Sequence, residues 1–382
     1  MPDPKEIIPF NRPFIIGREI EYITKAVGSG HLAANGHFAS QCRDFFAKHY
    51  GVENNVLTTS CTSALELAAL LLNIQPGDEI IAPSFAFVST VNPFVLRGAK
   101  IVFADSSDNH PNINVDSLEA LITPQTRAIV CVHYAGMACD MAKLMEISWR
   151  TRIPVIEDAA HAIESKWNGT QQLGTIGKMG CFSFHETKNI IAGEGGLLCI
   201  NDKTLAARAE LISNKGTNRG AFFRGETAKY EWVSEGSSFI PSELTSAYLF
   251  AQLEEKDKIQ NDRMRSWNQY HHELEALERK NLVARPFIPS YAMSNGHIYY
   301  LVCKSAGERD QLMAFLKKEN VNAVFHYQSL HKSPFYSGKH DGRELPNADR
   351  LSECLLRLPL FYGIKESQIS RICKVIQVFY LQ

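Results

Sequence analysis

Residues 181–196 read CFSFHETKNIIAGEGG. An apolar run leads into a lysine, Lys188, and then into a segment holding three glycines within four residues, 193–196. Alternation of Phe182 and Phe184 with small or polar neighbours predicts a strand over CFSFHETK, and GGLLCIND predicts a second strand after the glycine-rich loop. Upstream, DEIIAPS, AKIVFAD, RAIVCVHY and IPVIEDA are short apolar runs bounded by turns or helices, and TSALELAALLL reads as a helix between them. This alternation predicts an α/β domain with a mostly parallel sheet.

An earlier helix is expected from Ile16, Ile20, Ile23 and Val27, which share one apolar face and stop at GSG. From Glu243 the pattern becomes one long polar-backed helix through Leu244, Tyr248, Ala251, Met264, Trp267 and Leu274 to about Leu277. Beyond it HIYYLVCKS and NAVFHYQSL read as strands, and RDQLMAFLKKE, ADRLSECLLRL and SQISRICKVIQVFY as helices. The expected organisation is a large domain over 1–245 and a smaller C-terminal α+β domain over 246–382 that includes the connecting helix.

Composition excludes several classes. The 382 residues carry 40 basic and 41 acidic side chains without long runs of one sign, so no nucleic-acid or membrane surface is expected. The apolar run ALELAALLLNI is too short to span a bilayer, and MPDPKEIIPF has no signal-peptide pattern. Nine scattered cysteines without a CxxC pair predict free thiols in a cytoplasmic protein and no metal site.

Four places join strand ends to reactive or binding groups. Thr58, Thr59, Ser60, Thr62 and Ser63 crowd the start of a helix, where free N–H groups and hydroxyls suit a phosphate, although capping alone also explains hydroxyls there. Asp158 ends the strand in RIPVIEDAAHA; a buried carboxylate needs a cationic or hydrogen-bonding partner, either a structural ion pair or a protonated ring nitrogen. Phe87 in APSFAFVST follows another strand and offers a flat face. Lys188, preceded by Ser183 and His185 on alternating positions, is placed for desolvation and hence nucleophilicity. Phosphate cradle, ring platform, acid for a pyridinium nitrogen and Schiff-base lysine are together the parts of a pyridoxal phosphate site.

The motifs TSCTSALELA, PGDEIIAPSFAFVST, VIEDAAHA, GTIGKMGCFSFHETKN and GEGG make the chain resemble, from IPFNRP to LRLPLF, the DegT/StrS family of sugar aminotransferases. The resemblance implies the aspartate aminotransferase-like fold of type I pyridoxal phosphate enzymes. It implies that Lys188 binds the cofactor, Asp158 contacts its pyridine nitrogen, His161 lies near its ring hydroxyl and Phe87 stacks on it. Thr62, Ser63 and Ser183 would hold its phosphate. Many relatives also send an asparagine to the neighbouring subunit's phosphate; here Ile240 occupies that place in GSSFIPSE, so Ser237 or Ser238 is expected to substitute.

For substrates, the resemblance implies L-glutamate as donor and a nucleotide-linked 4-keto-6-deoxy sugar, dTDP-4-dehydro-6-deoxyglucose, as acceptor. His326, Tyr327 and His331 in FHYQSLH and His185 are the expected sugar-facing residues. Arg219 and Arg224 in NKGTNRGAFFRGETAKYEW would approach the nucleotide diphosphate across a homodimer interface. The alternatives are another nucleotide-sugar aminotransferase, with a gluco product or a 3-keto substrate, or a pyridoxal phosphate-dependent sugar dehydratase; in such dehydratases histidine replaces the lysine, so Lys188 argues against the last.

Overall fold

The computed structural model describes residues 6–381. Seven strands form the main sheet: β1 (Asn55–Thr58), β2 (Glu79–Pro83), β3 (Lys100–Ala104), β4 (Thr126–Val132), β5 (Val155–Asp158), β6 (Met179–Ser183) and β7 (Gly196–Ile200). Their order is β1-β7-β6-β5-β4-β2-β3. The run β3-β2-β4-β5-β6 is parallel, while β7 pairs antiparallel with β6 and β1 antiparallel with β7. The fold is α/β, as expected.

Alternate residues of the central strands serve two cores. Ile80 and Ala82 pack with Leu65 and Leu67 of helix α3 (Cys61–Leu71). Ile81, between them, packs on the opposite face with Leu144 and Ile147 of α4 (Met141–Thr151). A parallel sheet covered on both faces explains why these strands read as continuous apolar runs.

Before them come α1 (Glu19–Gly28) and α2 (His37–Tyr50). The apolar face expected for α1 is only partly kept: Ile16 and Ile23 are half-buried against the core, but Ile20 and Val27 are 62% and 55% exposed, and Tyr22 and Ala26 take the buried positions. Buried Tyr22 donates its hydroxyl hydrogen to Glu254 at 2.7 Å, which fixes the rotation of the helix.

The long helix expected from Glu243 is instead α5 (Glu243–Glu254) and α6 (Lys256–Glu273), which part at Glu255. α5 packs against α1 and α2, and α6 packs against α9 (Glu366–Leu381), so the break at Glu255 separates parts that serve two different cores. The C-terminal region adds β8 (Tyr300–Val302), β9 (Val324–Phe325) and β10 (Leu355–Arg357) in the antiparallel order β8-β10-β9, with α7 (Ala306–Lys318) and α8 (Pro346–Cys354). The helix read over ADRLSECLLRL thus ends at Cys354, and its second half is a strand. Ile8 joins the apolar core of this region, through a parallel bridge to Val321.

Candidate active site

The strand expected over CFSFHETK stops at Ser183, and the chain then folds back through a loop. The Glu186 amide donates to the Gly193 carbonyl at 2.9 Å, with Gly193 at φ +74°, a conformation glycine adopts without steric cost. At the end of the loop a Cβ on Gly196 would lie 2.6 Å from the Cys61 nitrogen, so only glycine lets β7 approach the start of α3. The loop thereby brings Lys188 to the mouth of the sheet, beside the N-terminus of α3 and the end of β5.

A cavity of about 530 Å³ opens there, lined by Lys188, Asp158, His161, Phe87, Thr62 and Ser183. His185, His326, Tyr327 and Ser60 are further sequence-selected residues that border it. Asp158 is buried; its Oδ2 accepts from Thr90 Oγ1 at 2.7 Å and its Oδ1 from the Ala160 amide at 3.2 Å. No cationic side chain forms an ion pair with it among the described residues. Burial pushes its carboxyl pKa up, against the opposing pull of Thr90, Ala160 and Lys188. Lys188 likewise has no side-chain hydrogen bond or ion pair among the described residues, and burial lowers its amine to about 8 despite the nearby Cys61 and Asp158. A fraction of the amine is therefore unprotonated and nucleophilic near neutral pH.

Ser60 caps α3, its Oγ accepting from the Ser63 amide at 3.1 Å, and Ser60 and Thr62 border the cavity. Thr62 donates its hydroxyl hydrogen to Ser89 at 2.8 Å. Ser63 does not line the cavity; its hydroxyl joins those of Thr59 and Ser60 at 3.0 and 3.1 Å. The ring of Phe87, 53% exposed, forms a rim 5.8 Å from that of Tyr327. The Nδ1 of His161 accepts the Ala135 N–H at 3.3 Å and its Nε2 meets the Tyr327 hydroxyl at 3.4 Å. Burial, Lys188 and Arg357 hold His161 neutral.

The remaining candidates lie outside the cavity. The Nδ1 of His331 is bonded to Ser84 Oγ at 2.7 Å, and its Nε2 faces Asp349 at 3.6 Å. Ser237 and Ser238 are exposed, on a segment tied to the start of α3 by the Thr59 amide bonding the Phe239 carbonyl at 2.8 Å. Arg219 lies over the Phe223 ring, and Arg224 is paired with Glu210 and Glu226 at 2.6 and 2.7 Å.

The C-terminal region contributes a residue that the motifs did not single out. Arg357, at the end of β10, is half-buried with its guanidinium over the Phe10 ring at 4.8 Å and its Nη1 donating to His326 Nε2 at 3.1 Å. Its Nε has no partner, and no carboxylate forms an ion pair with it among the described residues. A partly desolvated cation facing a cavity without a counter-ion is an anion-binding arrangement. Its sequence signal was a lone arginine inside the apolar run LLRLPLF. Thr90, Ser89 and His297 also border the cavity and were not singled out.

The geometry fits pyridoxal phosphate on three independent points. Asp158 lacks the cation that a protonated ring nitrogen would supply. Lys188 presents an amine whose protonation burial has weakened. The N-terminus of α3, with its cap and hydroxyls, suits a phosphate.

Comparisons with known proteins agree with this geometry. Residues 13–377 match the model of the DegT/DnrJ/EryC1/StrS aminotransferase family. The chain is 32% identical over 379 residues to the spore coat polysaccharide biosynthesis protein SpsC of Bacillus subtilis (strain 168), covering 97% of this chain and 96% of that one. Among solved structures, the aminotransferase TlmJ from Streptoalloteichus hindustanus superposes with a TM-score of 0.90 at 28% identity, over 98% of this chain and 99% of that one. DesI, solved in the presence of its TDP-sugar product, matches with a TM-score of 0.88 at 26% identity, over 98% of this chain and 93% of that one. No helix among the described residues is long and apolar enough to cross a membrane. Fold, cavity and relatives therefore converge on one assignment: the chain belongs to the DegT/DnrJ/EryC1/StrS aminotransferase family and is a pyridoxal phosphate-dependent sugar aminotransferase.

Proposed function

We propose that the enzyme moves the amino group of L-glutamate to carbon 4 of dTDP-4-dehydro-6-deoxy-D-glucose, giving dTDP-4-amino-4,6-dideoxy-D-galactose for a bacterial surface polysaccharide of the enterobacterial common antigen type. The observation that carries the reaction type is the pair of unpartnered groups in one cavity, a weakly protonated Lys188 and a buried Asp158 without a counter-cation. The choice of sugar is supported by the sequence resemblance and by the likeness to DesI, solved in the presence of its TDP-sugar product.

When bound, the cofactor supplies an aldehyde that an amine captures and a ring that accepts the electron pair released as a carbon–hydrogen bond breaks. Asp158 keeps the ring nitrogen protonated. The Nζ of Lys188, once free, takes the proton from the α-carbon of glutamate. Thr62, Ser183 and the N–H groups starting α3 hold the phosphate, with Ser63 acting through the Ser60 cap. Phe87 and His161 orient the ring. Arg357 receives a carboxylate of glutamate, the anion its half-buried guanidinium lacks. His185, His326 and Tyr327 meet the sugar, and His331, bonded to Ser84, braces the segment that carries His326 and Tyr327.

The same proposal includes a cytoplasmic homodimer. The exposed Ile20 and Val27 on α1 and the exposed Phe223, Trp232 and Val233 form apolar surface suited to a second copy. Ser237 and Ser238 would then reach the neighbour's phosphate, and Arg219 and Arg224 its nucleotide diphosphate. The division into 1–245 and 246–382 also belongs to the proposal; it is supported by the separate core around Trp267, Tyr270 and Leu312. Incubation with glutamate and dTDP-4-dehydro-6-deoxyglucose followed by product NMR tests the assignment. An axial amine at carbon 4 is expected; an equatorial amine or an unreacted sugar overturns it.

A further inference from the structure

Asn189, the residue after Lys188, is buried and donates through Nδ2 to the Asn295 carbonyl at 3.0 Å. That bond turns its Oδ1 toward His297, whose Nδ1 lies 2.8 Å away. An amide oxygen only accepts, so Nδ1 of His297 carries the hydrogen and Nε2 of the neutral ring is a bare acceptor. The surroundings hold this arrangement. Asn295 Oδ1 accepts the His297 amide at 3.0 Å, and its Nδ2 donates to the carbonyls of His161 and Ile163 at 2.8 and 2.7 Å. A Cβ on Gly136 would lie 2.7 Å from Asn295 Cγ, so the packing around this amide has no slack. Burial, with nearby His161, Lys188, Arg263 and Arg357, keeps His297 neutral.

His297 lines the cavity, with its ring centroid 4.6 Å from that of His161, and its Nε2 has no hydrogen bond to any described residue. His161 shows the opposite tautomer: its Nδ1 accepts the Ala135 N–H, so its Nε2 donates toward Tyr327. Two adjacent imidazoles thus present one donor and one acceptor.

We propose that His297 is a further substrate-binding residue, whose Nε2 accepts a hydrogen bond from a hydroxyl of the acceptor sugar, and that Asn189 is the positioning residue fixing its tautomer. The inference rests on the function proposed above. Its chemical basis is that the carboxylates of glutamate offer only acceptors, and its amino group is consumed at the reacting centre. The sugar hydroxyls are the donors left to satisfy a bare nitrogen.

The test uses the cofactor-loaded enzyme and its His297→Phe and His297→Gln variants. Three quantities are read: the absorbance of the lysine-bound cofactor, calorimetric affinity of that form for the 4-keto sugar, and the two half-reactions measured separately. His297→Phe should lower sugar affinity and the rate of the sugar half-reaction about tenfold, the scale of one neutral hydrogen bond. The glutamate half-reaction should stay within about twofold, and the spectrum should be unchanged. His297→Gln, whose amide restores an acceptor oxygen, should recover most of the loss; where the Phe variant fails to fold, the Gln variant should still show sugar and glutamate half-reactions near wild type. Equal losses in both half-reactions, a shifted cofactor spectrum, or sugar binding unaffected in both variants overturns the proposal. A wild-type enzyme that neither binds nor aminates this sugar instead overturns the parent assignment.

Discussion

Thr90 donates its hydroxyl hydrogen to Asp158 at 2.7 Å, and that bond, with the Ala160 amide, is all the hydrogen bonding the buried carboxylate receives from the described residues. Burial favours the protonated acid and Thr90 favours the carboxylate. Thr90→Val keeps the shape and removes the bond, so the Asp158 pKa should rise and cofactor affinity should fall about tenfold. Asp158→Asn, which removes the charge altogether, should lower kcat about 100- to 1,000-fold while the fold persists. Cofactor titration and steady-state rates on the two variants check both.

Lys188 imposes a pH dependence on cofactor capture. Its amine is lowered to about 8, mainly by burial. Only the unprotonated amine reacts with an aldehyde, so uptake by the cofactor-free protein should accelerate as pH rises, with a midpoint near 8. Stopped-flow absorbance between pH 6 and about 10 measures it; a midpoint near 10.5, the ordinary lysine value, contradicts the desolvated site.

Gly196 couples the glycine-rich loop to the phosphate end of the cavity. An alanine there meets the backbone of Ser60 and Cys61, and backbone cannot rotate away as a side chain can. Gly196→Ala should cost about 1–3 kcal/mol of stability and weaken cofactor binding. Thermal melts with and without cofactor report the two effects.

Arg357 separates binding from stability. Its half-buried guanidinium has no carboxylate partner among the described residues, so Arg357→Met should leave Tm unchanged or higher, because a partly desolvated charge is removed. The KM for glutamate should rise roughly 10- to 100-fold, as expected for a lost bond to a charged group. The KM for the sugar should change far less.

The sheet and the motif-bearing loops were legible because each is local: Asp158, Lys188 and Ser183 sit at or just after strands whose apolar runs are visible in the sequence. Arg357 and His297 were not, since both reach the cavity from a distant region and neither has a local pattern that marks it. The four-residue strand β1 in NNVLTT was missed for a related reason, being too short to show a period. The α1 pattern had a different fault. Helical spacing grouped Ile20 with Val27 but did not say whether that face meets this chain or solvent, and Tyr22 takes the buried side through its bond to Glu254. The break at Glu255 arises because α5 and α6 pack on different cores, which periodicity along one helix does not record.

The central claim is that the amine holding the cofactor belongs to Lys188, opposite Asp158. Borohydride reduction of the cofactor-loaded enzyme, followed by peptide mass mapping, tests it most directly. A single reduced cofactor adduct on Lys188, absent from Lys188→Ala, is predicted. An adduct on another lysine, or none at all, would contradict it.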